Sequence, residues 1–187
     1  MQQLPDEVLI DRCVEEARPK LQHRPPIMVY GRWCTQPRDV GFFRFYDVTI
    51  PGDDVIKGYH YSGQVMSAQL LPASLQALLD SVNEITGANY NSILVNEYMN
   101  GLDTIGAHSD SEIGIDPSAG VTAISWGAVR NFRIRAKIDK SIVANIPTTP
   151  YSLMQMKGDF QALFTHEIPT ERKVKGSRVS FTFRKFD

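Results

Sequence analysis

Ser177-Arg178-Val179-Ser180-Phe181-Thr182-Phe183-Arg184-Lys185 decides how the rest of this chain is read. A strand sends alternate side chains to opposite faces. Val179, Phe181 and Phe183 make one face, the composition of a packed core; Arg178, Ser180, Thr182 and Arg184 make the other. Compact hydroxyls between the charges predict a strand enclosed on both faces. Guanidinium groups that face inward demand an anion, because an unpaired buried charge is very costly. Six residues of strand put the two arginine Cα atoms roughly 20 Å apart, and side chains leaning about 6 Å inward leave room for a short dicarboxylic acid. The same letters taken alone also describe an edge strand with two solvated arginines. The remaining sequence decides between the two.

A chain of 187 residues, 42% hydrophobic and 22% charged, has the composition of one soluble globular domain with enough length to enclose a pocket. No run approaches the ~18 apolar residues of a membrane helix, and the start, Met-Gln-Gln-Leu-Pro-Asp-Glu, has no basic or apolar leader. Cys13 and Cys34 are too few for a disulfide framework and wrongly spaced for a zinc ribbon, so a reducing interior, cytoplasm or nucleus, is expected. A net charge of −1 excludes wide non-specific phosphate contact. Any nucleic-acid partner must be held by a local patch and a pocket.

Residues 5 to 18 predict a short packing helix with Leu4, Val8, Leu9 and Val14 on its apolar side. Pro19, Pro25 and Pro26 end it and start an extended, aromatic-rich stretch. Tyr59 and Tyr61 lie two apart and share a face. Leu75, Leu78, Leu79, Val82 and Ile85 mark one strong helix from about Pro72 to Thr86, with Gly87 as its cap. Beyond it the period becomes two. Strands are expected at 91–98, 121–126, 131–136, 141–146, 152–157, 161–168 and 177–184, with turn signals between them. Many short strands without intervening helices predict an antiparallel sandwich or barrel such as a jelly roll.

His108-Ser109-Asp110 puts an imidazole and a carboxylate at i and i+2, which extended backbone points the same way. With His166 they match the set of two histidines and one carboxylate that leaves positions open on Fe(II) for a cosubstrate and O2. Arg178 and Arg184 follow in the next strand.

From about Pro37 to Phe186 the sequence resembles the AlkB family of Fe(II)- and 2-oxoglutarate-dependent nucleic-acid dealkylases. The matching pieces are Pro37-Arg38, Tyr59-His60-Tyr61-Ser62-Gly63, Asn96-Glu97-Tyr98, His108-Ser109-Asp110-Ser111-Glu112, Ile124 to Phe132, His166, and Arg178 to Arg184. The resemblance implies a mostly β fold with flanking helices, the double-stranded β-helix (jelly roll) of these oxygenases. Residues 1–36 would be an amino-terminal helix and extended segment, 37–70 a nucleotide-recognition lid, and 71–187 a helix and jelly-roll core, in a single domain acting as a monomer. It further implies that His108, Asp110 and His166 bind iron, and that Arg178, assisted by Asn96 and Tyr98, holds the distal carboxylate of 2-oxoglutarate. Arg184 would lie by the chelating carboxylate. Ser180 stands where many relatives carry Asn, a weaker cosubstrate contact, and Glu167 stands where relatives often carry an uncharged residue.

The implied reaction repairs 1-methyladenine or 3-methylcytosine in DNA or RNA, releasing formaldehyde, succinate and CO2. Hydroxylation of a protein or a small molecule is the alternative. Glu112 would contact the target base and Tyr59 and Tyr61 would cover it; methylation makes that base cationic, which suits a carboxylate and tyrosine faces. The base must be single-stranded or flipped to reach such a pocket. Arg38 and Arg130 are expected at the substrate, with Arg130, Arg133, Arg135 and Lys137 as one candidate phosphate track and Arg172, Lys173 and Lys175 as another. No membrane partner is expected.

Overall fold

The computed structural model describes residues 5–29, 31–45, 59–61, 64–110 and 114–186, with β4 and part of β5 described by backbone alone. Helix α1 (Glu7–Ala17) is capped by Asp6, whose carboxylate accepts the Val8 N–H at 3.0 Å, and runs into a 3-10 turn at Arg18–Lys20. Strands β1 (Pro26–Val29) and β2 (Arg32–Thr35) form a hairpin; β3 (Asp39–Arg44), the small pair β4 (Tyr59–Tyr61) and β5 (Gln64–Met66), and β6 (Gln69–Leu70) follow. Helix α2 (Ala73–Thr86) ends at Gly87, whose φ of 66° is the left-handed conformation that glycine adopts without strain. Next come β7 (Ser92–Tyr98), β8 (Ile105–His108), β9 (Val121–Gly127), β10 (Asn131–Ala136), β11 (Ile142–Pro147) and β12 (Leu153–Met156). The short helix α3 (Phe160–Leu163), β13 (Phe164–Ile168) and β14 (Arg178–Arg184) complete the order.

Two sheets face one another. The larger runs β12-β9-β14-β7-β3-β6 and the smaller β11-β10-β13-β8, the jelly-roll arrangement expected from the sequence. β14 lies between β9 and β7, paired along its length from Arg178 opposite Tyr98 to Arg184 opposite Ser92, and all seven of its residues are buried. An edge position is thereby excluded. Val179, Phe181 and Phe183 pack with Ile10, Cys13, Val14 and the α2 residues Leu75, Leu78, Leu79 and Val82 in one core. Arg178, Ser180, Thr182 and Arg184 line a cavity between the sheets.

Three local expectations change. The buried face of α1 is Ile10, Cys13, Val14 and Ala17, while Val8 is 66% exposed; steps of three, four and seven from Ile10 select that stripe. The segment expected as one strand at 161–168 begins as α3. The Lys157-Gly158 turn, with Gly158 at φ 59°, runs on through Phe160 N–H to Lys157 O at 3.3 Å, so the chain coils before extending. β8 was not among the expected strands: only four residues long, with Gly106 and Ala107 inside it, it carries no alternating apolar signal.

Phe181→Ala, which empties a fully buried site, should cost roughly 3–5 kcal/mol of unfolding free energy. Urea denaturation followed by tryptophan fluorescence measures it.

Candidate metal centre

β8 and β13 pair so that His108 lies opposite His166, with ring centroids 4.3 Å apart. Asp110 follows two residues after His108 and turns inward. Its Oδ1 lies 3.9 Å from His108 Nε2 and its Oδ2 lies 3.7 Å from His166 Nε2, and one ligand atom from each of the three falls within 4.8 Å of the others. The spacing holds the three donors apart around a common point. His108 Nδ1 lies 2.8 Å from the Gly106 carbonyl, which can only accept, so Nδ1 carries the proton and Nε2 presents its lone pair. Phe132 stacks on His166 at 5.0 Å and fixes the ring plane. The Asp110 N–H donates to Gln161 Oε1 at 2.9 Å.

Electrostatics set the protonation a metal needs. Burial alone would raise the Asp110 carboxyl; Arg184 above all, then His166 and His108, outweigh it and hold it down to about 2. Burial pushes both imidazoles down, His166 to about 3. An ionised carboxylate beside two neutral imidazoles is the state that binds a divalent cation. Among the described residues, Asp110 Oδ2 is buried with no hydrogen-bond donor, which is costly unless a cation meets it. The donor set fits Fe(II).

The adjoining cavity is floored by the rows of the larger sheet. At the metal end Arg184 Nη2 donates to Asp110 Oδ1, both groups being buried. At the far end Arg178 Nε donates to Thr148 Oγ1 at 3.0 Å and Nη2 to Ser125 Oγ at 2.9 Å, above the Tyr98 ring at 5.4 Å. Its Nη1 is buried without a hydrogen-bond partner among the described residues. Burial lowers Arg178 to about 10, so it remains charged at neutral pH. Between the two ends lie Asn96, Ser180 and Thr182, and Arg38 Nε donates to Asn96 Oδ1 at 2.8 Å. A dianion with a carboxylate at each end matches this floor.

The family model of the 2OG-Fe(II) oxygenase superfamily matches residues 9–184. The chain is 30% identical over 166 residues to the human DNA oxidative demethylase ALKBH2, covering 85% of this chain and 60% of that protein. It is 34% identical over 118 residues to the human alpha-ketoglutarate-dependent dioxygenase alkB homolog 3, covering 59% of this chain and 41% of that one. The chain belongs to the AlkB family of 2OG-Fe(II) oxygenases. It spans about 60% of the length of the human ALKBH2 protein. A solved structure titled "The structure of OsALKBH1" superposes with a TM-score of 0.62 at 14% identity, covering 97% of this chain and 93% of that one, and shares the fold. This family uses Fe(II) as cofactor with 2-oxoglutarate and O2 as cosubstrates.

Within this AlkB-family chain the fold gathers His108, Asp110, His166, Asn96, Tyr98, Arg178, Ser180, Arg184 and Arg38 around one cavity. Arg130 is not at its surface. It is 1% exposed and donates to the carbonyls of Asn100, Asp103 and Pro169 and to Glu171 Oε2, so burial and these four bonds withhold it from a phosphate. It pins the β7–β8 loop to the loop after β13, where a Cβ on Gly101 would meet the Glu171 carbonyl. Arg133 and Arg135 are likewise engaged, both with Glu167 Oε1 at 3.3 and 3.0 Å, and Lys137 donates to Gln161 O. That pairing accounts for the charge at Glu167, directly opposite Arg133 in the β10–β13 ladder. Glu112 lies outside the described residues, and Tyr59 and Tyr61 lie on β4, of which the backbone is described. Thr148 and Ser125, which hold Arg178, carried no pattern of their own; Ser125 lay inside a matching stretch, Thr148 in none.

Arg130→Gln should lower the unfolding free energy by roughly 3 kcal/mol, read by urea denaturation, because Glu171 and three carbonyls lose their donors. The salt dependence of oligonucleotide binding should not change. A second outcome concerns pH. The unfolded chain takes up a proton on His166 near 6.5, whereas the folded chain does so near 3, so the unfolded state gains protons first as pH falls. Stability of the metal-free protein should therefore be full above pH 6.5 and fall steadily toward about 3, and His166→Gln should flatten the slope of the urea midpoint over that window.

Proposed function

We propose that this chain is an oxidative demethylase of N-alkylated bases in nucleic acid, with 1-methyladenine and 3-methylcytosine as substrates. The observation that carries the reading is one cavity with a metal-ready triad at one end and a charged, partly unpartnered Arg178 at the other. Similarity to proteins named DNA oxidative demethylase supports the substrate class.

His108, Asp110 and His166 would hold the iron on one side, leaving the opposite side to cosubstrate and O2. Arg178 binds the distal carboxylate, with Tyr98 beneath it, and Arg184 serves both Asp110 and the near carboxylate. Asn96 accepts from Arg38 through Oδ1, which turns its amide N–H groups toward the acid. Fe(II) with 2-oxoglutarate and O2 supplies the oxidation that converts an N-methyl group to N-hydroxymethyl, as the acid leaves as succinate and CO2. Loss of formaldehyde then restores the base. Apolar Leu94, Ile105, Phe132 and Ile168 keep water from the cavity.

Glu112 would meet the cationic base, Tyr59 and Tyr61 would cover it, and Arg38 would contact it from the cavity wall. Exposed Arg172, Lys173 and Lys175 offer a phosphate contact outside. The base enters from a single strand or by flipping. The chain acts as a monomer inside the cell; among the described residues no helix is long and apolar enough to cross a membrane.

The test is mass spectrometry of DNA and RNA oligonucleotides carrying either lesion, incubated with Fe(II), ascorbate and 2-oxoglutarate. Loss of one methylene's mass, abolished by His108→Ala or Asp110→Ala, is expected. Succinate formation with every oligonucleotide unchanged would instead point to a protein or small-molecule substrate.

A further inference from the structure

The buried arginines are not held alike. Arg184 bonds a carboxylate, Asp110, and Arg130 bonds another, Glu171. Arg178 is as buried as either, yet the partners that hold its guanidinium are hydroxyls: Thr148 Oγ1 on Nε and Ser125 Oγ on Nη2, with the Tyr98 phenol alongside. Neither hydroxyl is free to drift. Thr148 Oγ1 donates its own proton to Arg130 O at 2.9 Å, and the Thr148 N–H reaches the same carbonyl at 2.8 Å, so a lone pair is turned to Arg178. Ser125 sits in β9 opposite Ser180, with its N–H on Ser152 O at 3.1 Å and its carbonyl accepting from Tyr151 N–H at 2.7 Å.

Neutral acceptors orient a guanidinium without cancelling its charge. A carboxylate would orient it equally well and neutralise it, and the pocket would then have no net attraction for an acid. With apolar groups in their place, the side chain would keep its charge but lose its geometry, and ordering it would draw on binding energy.

We propose that Thr148 and Ser125 are positioning residues that aim the Arg178 Nη1 edge at the distal carboxylate of 2-oxoglutarate while leaving its charge uncompensated. This rests on the reading of Arg178 as the distal anchor. It assigns to Thr148 and Ser125 the control of cosubstrate affinity.

The experiment is calorimetric titration of 2-oxoglutarate into Mn(II)-loaded full chain without nucleic acid, paired with KM and kcat for 2-oxoglutarate on a methylated oligonucleotide. Thr148→Val and Ser125→Ala should each weaken binding roughly tenfold and raise KM by a similar factor, with kcat at saturation near wild type. Thr148→Ser should restore affinity. Ser125→Asp should abolish binding with a thermal midpoint at or above that of the wild type. Thermal melting separates folding from binding, and Ser125→Ala with Thr148→Ser decides the matter if Thr148→Val unfolds. Wild-type affinity in both Thr148→Val and Ser125→Ala, or binding by Ser125→Asp, overturns the inference alone. A wild-type chain that binds no 2-oxoglutarate overturns the proposed function and this inference together.

Discussion

Arg184 and Asp110 form a buried ion pair in which the wall of the cavity meets the metal ligands. Two charges taken from water repay their desolvation only if the geometry is tight and other partners complete it. Here the pair keeps Asp110 ionised against burial, and an ionised Asp110 is the condition for a cation between the two imidazoles. The same contact fixes the end of β14 relative to the loop after β8, elements from different sheets. Among the described cavity residues, Arg38, Arg178 and Arg184 stand against the single carboxylate of Asp110. That excess of positive charge, to which a bound divalent cation would add, favours an anionic occupant.

The strands that carry the floor are held from behind by the amino-terminal helix. Asp11 Oδ1 accepts from Trp126 Nε1 at 2.7 Å and from the Tyr151 hydroxyl at 3.1 Å, so α1 grips β9 next to Ser125. Arg18 stacks over Trp126 at 4.9 Å and donates to Glu97 Oε1, which lies between Asn96 and Tyr98 on β7. Strand alternation converts each rear contact into a constraint on its cavity-facing neighbour. A helix read from sequence as plain packing thus steadies the cosubstrate floor from the opposite face.

Arginine illustrates how one residue type takes several fates in one small fold. Arg130 and Arg178 are both buried and hydrogen-bonded, and their local sequences both look like strand-flanking basic positions. Arg130 spends its donors on carbonyls and Glu171 and becomes a staple between loops; Arg178 keeps an Nη1 in hand, the group proposed above to take an acid. Arg133 and Arg135, expected along phosphates, face Glu167 across a strand ladder. Charge in a sequence marks a demand for a partner. It does not say whether the chain itself meets that demand.

The match to a facial-triad donor set and the family resemblance joined His108 and Asp110 to the distant His166; periodicity was enough for the antiparallel β class, the α2 helix and the two-faced strand at 178–184. Those signals are local: alternation follows from backbone geometry, and a run of hydroxyls and arginines facing one way needs no distant knowledge. What only the tertiary structure decided was which groups complete one another across the sheets. Thr148 reaches Arg178 from a turn 30 residues away in the chain, and Glu171 reaches Arg130 over 41. No local pattern encodes such pairs, because a buried polar group is satisfied by whatever the fold brings within about 3 Å, and that proximity exists only once the strands have found their register.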